Sequence, residues 1–273
     1  MQNKKIKEKE FKLLPNSGIL SAPVYKGGEQ PDLSKHEIIK LNSNENPFGP
    51  SKLATDALKN SFEFINNYPS SSHEKLRKAI AKVYAINFEN IICGAGSDEL
   101  ISFICQCFCS SNDEVIYTEH GFAMYKISAL LRGANPVKVL ETERVADVDN
   151  ILKSCNNRTK IIFLANPNNP TGTFLDSSKI KYLLDNLPDT ILMVIDGAYA
   201  EYIENFDGGL SFVENYDNLI ILRTFSKIYG LAALRIGWSY SSNSITQILN
   251  RVRGPFNVSS PAIAAATAAV LEA

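Results

Sequence analysis

Histidine, tryptophan and methionine are scarce in this 273-residue chain, with three, one and three copies, and its acidic and basic residues nearly cancel to a formal net charge of −1. A near-zero balance gives no long-range pull toward nucleic acid or an anionic membrane. No apolar run approaches the length needed to cross a bilayer. The opening Met1-Gln2-Asn3-Lys4-Lys5-Ile6-Lys7-Glu8-Lys9-Glu10 mixes both charge signs without an apolar core, so it is not a signal peptide and a cytoplasmic protein is expected. The five cysteines, Cys93, Cys105, Cys107, Cys109 and Cys155, are odd in number and irregularly spaced, which argues against a disulfide framework. Cys105, Cys107 and Cys109 alternate, but structural zinc sites space their cysteines by two to four residues and add a second ligand pair, and none follows. Small buried hydrophobes at the end of a helix account for them better. His36, His73 and His120 are scattered, and no metal site is expected.

What is present is an ordinary globular composition, 45% hydrophobic and 21% charged, long enough for one large domain and part of another. Short apolar runs recur at Asn90 to Cys93, Glu114 to Tyr117, Pro136 to Leu140, Lys160 to Leu164, Ile191 to Ile195 and Asn218 to Leu222. Their lengths suit buried strands. Asp98 to Phe108, Ala123 to Leu131, Val148 to Ser154 and Ser177 to Asn186 suit the helices between them. The alternation predicts an α/β sheet, mostly parallel, with helices on both faces. Residues before about Pro50 hold Pro, Gly and Asn with little periodicity and are expected to form an irregular arm. The segment from Pro261 to Ala273 is strongly helix-forming and carries no capping glycine or asparagine, which suggests a chain cut before a further domain.

Ligands of such sheets gather at the carboxyl ends of strands, and four polar groups follow predicted strands here. Thr224-Phe225-Ser226-Lys227 follows Leu219-Ile220-Ile221-Leu222, with Arg235 eight residues beyond the lysine. Burial or a nearby cation makes a neutral, nucleophilic lysine accessible to aldehydes. Thr224, Ser226 and Arg235 supply the hydroxyl donors and planar fork that a phosphate needs. An aldehyde that also carries a phosphate suggests pyridoxal 5′-phosphate held on Lys227 as a Schiff base. A strand-end lysine with ordinary polar neighbours is the plain alternative. Gly94-Ala95-Gly96-Ser97-Asp98-Glu99 opens a helix, where free N–H groups favour an anion, although such turns often serve only the turn. Asn166-Pro167-Asn168-Asn169-Pro170 forms a rigid non-helical loop whose amide, Asn169, can bond a ring oxygen; an unusual turn is the alternative. Asp196 ends a predicted buried strand, with Tyr199 three residues on. A buried aspartate needs a partner, and a protonated pyridine nitrogen is suitable, while Tyr199 can donate to the ring's 3′-oxygen; an N-cap is the alternative for Asp196.

Taken together, these residues resemble the fold-type I aminotransferases that depend on pyridoxal phosphate, and within them the histidinol-phosphate aminotransferase group. The narrower likeness rests on Leu41-Asn42-Ser43-Asn44-Glu45-Asn46-Pro47-Phe48-Gly49-Pro50, Asn67-Tyr68-Pro69, Gly94-Ala95-Gly96-Ser97-Asp98-Glu99-Leu100 and Gly254-Pro255-Phe256-Asn257-Val258-Ser259, and runs from about Gly18 to the last residue. The resemblance implies an arm and small-domain segment over residues 1–50, a cofactor-binding large domain over 51–273, and a C-terminal small domain that is absent. It implies that Lys227 carries the cofactor and shuttles the proton, that Asp196 pairs with the ring nitrogen, and that Asn169 and Tyr199 hold the 3′-oxygen. Ser226, Arg235, Thr224 and the Gly96-Ser97-Asp98 turn would hold the phosphate, and Phe122 would stack on the ring. Tyr68 would reach the partner's cofactor in a homodimer.

The implied reaction transfers an amino group from histidinol phosphate to 2-oxoglutarate in histidine biosynthesis. The alternatives are an aromatic amino acid aminotransferase or an inactive cofactor-binding fragment. The chain departs from the family pattern at Gly197, where many relatives carry glutamate, and at Glu119-His120-Gly121, which replaces a proline-containing approach to the aromatic. Tyr25 has no clean family counterpart, so no role is assigned to it.

Overall fold

The central strands do not alternate apolar and polar residues, because both of their faces are covered. The computed structural model describes residues 13–28 and 39–272; His36 and Ala273 lie outside them. Seven strands form one sheet: β1 (Ile91–Gly94), β2 (Glu114–Thr118), β3 (Asn135–Val139), β4 (Thr159–Ala165), β5 (Leu192–Asp196), β6 (Leu219–Thr224) and β7 (Gly237–Ser241). Their order is β1-β7-β6-β5-β4-β2-β3. Pairs β2–β3, β2–β4, β4–β5 and β5–β6 are parallel, as the alternation of strands and helices predicts, while β7 runs antiparallel to both β1 and β6.

Successive side chains of a strand point to opposite faces, and each face here has its own core. Ile162 and Leu164 of β4, Met193 and Ile195 of β5, and Leu219 and Ile221 of β6 join one cluster. It is covered by α2 (Glu74–Tyr84), α6 (Ser177–Asn186) and α8 (Ser260–Glu272). Their neighbours Ile161, Phe163, Leu192, Val194, Ile220 and Leu222 join the other, covered by α3 (Ser97–Phe108), α4 (Ala123–Leu131) and α7 (Asn243–Val252). Each such aliphatic side chain contributes about 1.5–3 kcal/mol when fully buried. The alternating pattern is therefore apolar on both faces, which is why these strands were legible as continuous runs.

The four predicted helices are present as α3, α4, α5 (Val148–Ser154) and α6. Sequence reasoning missed α1 (Lys52–Ser61), α2, α7 and β7. The first two precede β1 and dock on α8 rather than bridging two strands. In β7, Ser239 and Ser241 alternate with Trp238 and Tyr240; all are buried, but serines break the apolar run that marks a central strand. Cys105 and Cys109 are buried at the end of α3, as expected of small hydrophobes, while Cys107 is half-buried. No group of metal-binding side chains occurs among the described residues. No helix there is long and apolar enough to cross a membrane.

Candidate active site

β4, β5 and β6 run parallel, so Ala165, Asp196 and Thr224 end at one edge of the sheet. Because β7 runs the other way, its beginning lies at that edge too, and Gly94, Gly237 and Thr224 align in one row across β1, β7 and β6. The row brings Gly96, two residues past β1, against Arg235, two residues before β7. A cavity of about 620 Å³ opens there, within the usual range of small-molecule sites, about 300–1,000 Å³. Of the residues singled out in the sequence, Ser97, Asp98, Phe122, Asn169, Asp196, Tyr199, Thr224, Ser226, Lys227 and Arg235 all line it. Gly96 stands behind Arg235, and Tyr68 lies outside.

Asp196 is the last residue of β5 and is 5% exposed. Its Oδ2 accepts from the Tyr125 hydroxyl at 2.8 Å and its Oδ1 from the Ala198 backbone N–H at 3.1 Å. Burial raises its pKa above the usual carboxylate value, and these hydrogen bonds oppose the rise. Both oxygens are thus held by neutral donors, which leaves the carboxylate receptive to a cation. Lys227 follows β6 through Phe225 and Ser226; its Nζ donates to the carbonyls of Ser43 at 3.1 Å and Asn44 at 3.4 Å and sits 5.6 Å from the Tyr199 ring centroid. Burial lowers its pKa most, the carboxylates of Asp98, Glu45 and Asp196 oppose the shift, and Arg235 adds to it. Burial also raises the pKa of Tyr199. Asn44 donates through one amide nitrogen to both Asn169 Oδ1 (3.3 Å) and the Tyr199 hydroxyl oxygen (3.1 Å). One donor bridging these two groups shows that they converge on a single point.

Arg235 has a left-handed backbone, φ 50°, after the short turn Ala232–Leu234. Such a conformation costs about 1–3 kcal/mol in a non-glycine residue and persists where surroundings fix it. It turns the guanidinium back toward Ser226 Oγ (3.4 Å) and the Asp98 carboxylate (2.9 Å). Asp98 therefore meets Arg235 through its side chain, and what it offers an anion is the N–H at the start of α3. Gly96 is also left-handed, φ +89°, and a Cβ there would collide with the Arg235 guanidinium. The glycine is needed for this approach. Around the cavity's aromatic wall, Phe122 opens α4 and lies edge-on to Tyr25 and Tyr125, at centroid distances of 6.4 and 5.9 Å.

The unusual approach to Phe122 has a local explanation. The buried Glu141 carboxylate accepts from the His120 N–H at 3.1 Å and pairs with its Nδ1 at 2.7 Å, fixing the turn without proline. Gly197 also has a reason: a Cβ would press on Arg223 Cδ and the Leu222 carbonyl, each at 3.2 Å. Both Asn166-Pro167 and Asn169-Pro170 are cis. Sequence reasoning missed Tyr125 and Asn44 as site residues and left Tyr25 unassigned. Tyr25 and Tyr125 could have been found only by pairing them with residues far along the chain.

Comparison with known proteins decides the family. A model described as aminotransferase class I and II matches residues 36–273. The chain belongs to the class I and II aminotransferase family. Among curated members of this family, the histidinol-phosphate aminotransferase of Ruegeria sp. is 51% identical over 258 residues, 94% of this chain and 71% of that protein. That of Dinoroseobacter shibae is 52% identical, again over 94% of this chain and over 72% of its own length. A solved family member, histidinol-phosphate aminotransferase from Sinorhizobium meliloti in complex with pyridoxal-5′-phosphate, aligns with TM-score 0.80 at 28% identity. That alignment covers 83% of this chain and 62% of the solved one. The chain thus spans roughly two thirds of the length of the aminotransferases it matches. The fold is that of the fold-type I aminotransferases, mostly parallel with helices on both faces.

Proposed function

We propose that this chain carries the cofactor site of a pyridoxal-phosphate-dependent aminotransferase that moves an amino group from histidinol phosphate to 2-oxoglutarate in histidine biosynthesis. The convergence of Asp196, Lys227 and Arg235 on one cavity carries the reading. The residues present suit that cofactor: a buried carboxylate with only neutral donors, a lysine whose burial favours the neutral amine, and an arginine with hydroxyls at a helix start. When bound, pyridoxal phosphate supplies a carbonyl that captures an amine and a ring that draws electrons from the substrate α-carbon.

The chain's own residues divide the remaining work. Asp196 sets a negative charge for the ring nitrogen. Tyr199 and Asn169 would hold the ring oxygen, and Phe122, on the cavity's aromatic wall, would pack against the ring. Arg235, Ser226, Thr224 and the Gly96-Ser97-Asp98 turn bind the phosphate. Lys227 Nζ would hold the cofactor and, when released, would carry the proton at the substrate α-carbon. Its lowered pKa favours the unprotonated form that both tasks need.

A homodimer is proposed as the working unit, with Tyr68 serving the partner's site. Tyr68 is 82% exposed and stacks on Phe256 at 4.6 Å, and Phe62, Phe64 and Ile65, shortly before it in the chain, are exposed too, which suits burial against a second copy. Residues 1–50 are proposed as an arm over a domain of residues 51–273, which the bonds from Lys227 to Ser43 and Asn44 support. A cytoplasmic setting is supported by the five free cysteines.

The test is spectroscopic. Pyridoxal phosphate added to the chain is expected to raise a visible absorption band, and borohydride followed by peptide mapping is expected to fix the phosphopyridoxyl mass on Lys227. No band, or a label that persists in Lys227→Ala, would overturn the cofactor reading. Faster turnover of phenylalanine than of histidinol phosphate would transfer the reading to aromatic amino acids.

A further inference from the structure

Tyr125 belongs to no group that the sequence singled out, yet its hydroxyl is the side-chain donor to Asp196. It is 1% exposed and lies on α4, 71 residues before its partner. Its ring stacks flat on Phe163 of β4, with centroids 4.7 Å apart and an interplanar angle of 0°, and meets Phe122 edge-on. Two aromatic contacts therefore fix where the hydroxyl points, independently of the carboxylate it reaches. The hydroxyl donates to Asp196 Oδ2 at 2.8 Å.

We infer that Tyr125 is a positioning residue that holds the Asp196 carboxylate ionised and aimed for a cationic ring nitrogen. The inference rests on the cofactor reading above. A neutral donor has the right chemistry for this task. A hydrogen bond to the charged form of a buried acid favours that form. An arginine or lysine in the same place would favour it more strongly, but would also cancel the charge that a ring cation must find. A phenol orients the carboxylate and leaves its charge unspent. Burial pushes the Tyr125 pKa well above the usual phenol value, so the group remains a donor throughout the working range. Its edge contact with Phe122 ties the carboxylate to the wall that faces the same cavity.

The experiment separates positioning from packing with two ligands, pyridoxal phosphate and its 1-deaza analogue, in which C–H replaces the ring nitrogen. Affinities are measured by absorbance titration for the unaltered chain and for Tyr125→Phe, which keeps the stack on Phe163. Removing a hydrogen bond to a buried charged group is expected to weaken pyridoxal phosphate by about tenfold or more. The analogue has no ring cation to bind, so its affinity is expected to change by less than about twofold, within the ordinary scatter for sites that do not interact. Equal losses for both ligands would mean that Tyr125 only packs, and no loss for either would also overturn the inference. A second arm uses Asp196→Asn, where no ionised group is left to hold. Adding Tyr125→Phe to it is expected to have little further effect, and a full multiplicative loss would overturn the inference. Failure of the unaltered chain to bind either ligand would refute the cofactor reading itself, before any variant is considered, and the inference would fall with it.

Discussion

Adding one methyl group at Gly96 separates the phosphate half of the proposed site from its ring half. Gly96→Ala has two costs. The residue sits at φ +89°, outside the usual range of L-residues, and a left-handed backbone at a non-glycine position costs roughly 1–2 kcal/mol. That strain lowers stability whether or not a ligand is present. The new Cβ also collides with the Arg235 guanidinium, which must leave its place beside Ser226 and Asp98. The Asp98 pair is half-exposed, so losing it costs at most about 1 kcal/mol. A displaced guanidinium forfeits a charge-assisted bond to phosphate of about 1.5–3 kcal/mol, which corresponds to about a tenfold to hundredfold loss of affinity. Only this second cost depends on the phosphate. Titrations with pyridoxal phosphate and with phosphate-free pyridoxal, alongside thermal melts, distinguish the two. The expected result is a selective loss for the phosphorylated ligand and a lower melting temperature for both states. Equal losses for the two ligands, or unchanged phosphate selectivity, would refute the assignment of Arg235 and Gly96 to a phosphate cradle.

Asp196 should leave a mark on stability in the ligand-free chain. Its folded pKa is raised by burial, so its favourable contribution is complete below the unfolded carboxylate pKa and is lost as pH rises through the folded value. Asp196→Asn is therefore expected to gain stability relative to the unaltered chain as pH rises across that window, read from melting temperatures; a gap that does not change with pH would contradict it. Arg223 is 1% exposed and pairs with Glu201 at 3.3 Å. Glu201→Ala strands that buried charge and is expected to cost about 3–5 kcal/mol in denaturant unfolding. At the surface, Asp176 caps α6 by accepting from the N–H groups of Ser178 and Lys179. Asp176→Ala is expected to cost about 0.5–2 kcal/mol by the same measurement.

The parts of the molecule that were legible in the sequence share a physical cause. β4, β5 and β6 are buried on both faces, so they appear as unbroken apolar runs, and the polar residues that interrupt them at the carboxyl end are conspicuous. Asp196, Thr224 and Lys227 stood out for that reason. β7 contributes equally to the sheet but pairs antiparallel on both sides and carries Ser239 and Ser241, each 1% exposed, so no apolar run announces it. The helices α1, α2 and α7 have apolar faces at helical spacing, as Leu76, Ala79 and Ile80 of α2 show. They were passed over because they do not lie between two predicted strands in parallel order. Tyr125 was illegible for a different reason. On α4 it occupies the core-facing side with Ala129, and its polar end matters only through a residue that local sequence cannot bring near. Asn44 is similar, since its amide meets Asn169 and Tyr199 from more than a hundred residues away.

The reversed direction of β7 also orders events in time. Asp98 and Arg235 are 137 residues apart, and they meet only when β7 has zipped between β1 and β6. Contacts of such sequence separation form late, because chain closure precedes any gain from them. A growing chain that has made β2 to β6 already has Asp196 and Lys227 at one edge of the sheet, but it has no Arg235 cradle. Phosphate recognition therefore marks the completion of the sheet, and a cofactor that binds through its phosphate stabilises the finished fold without stabilising the intermediates that lead to it.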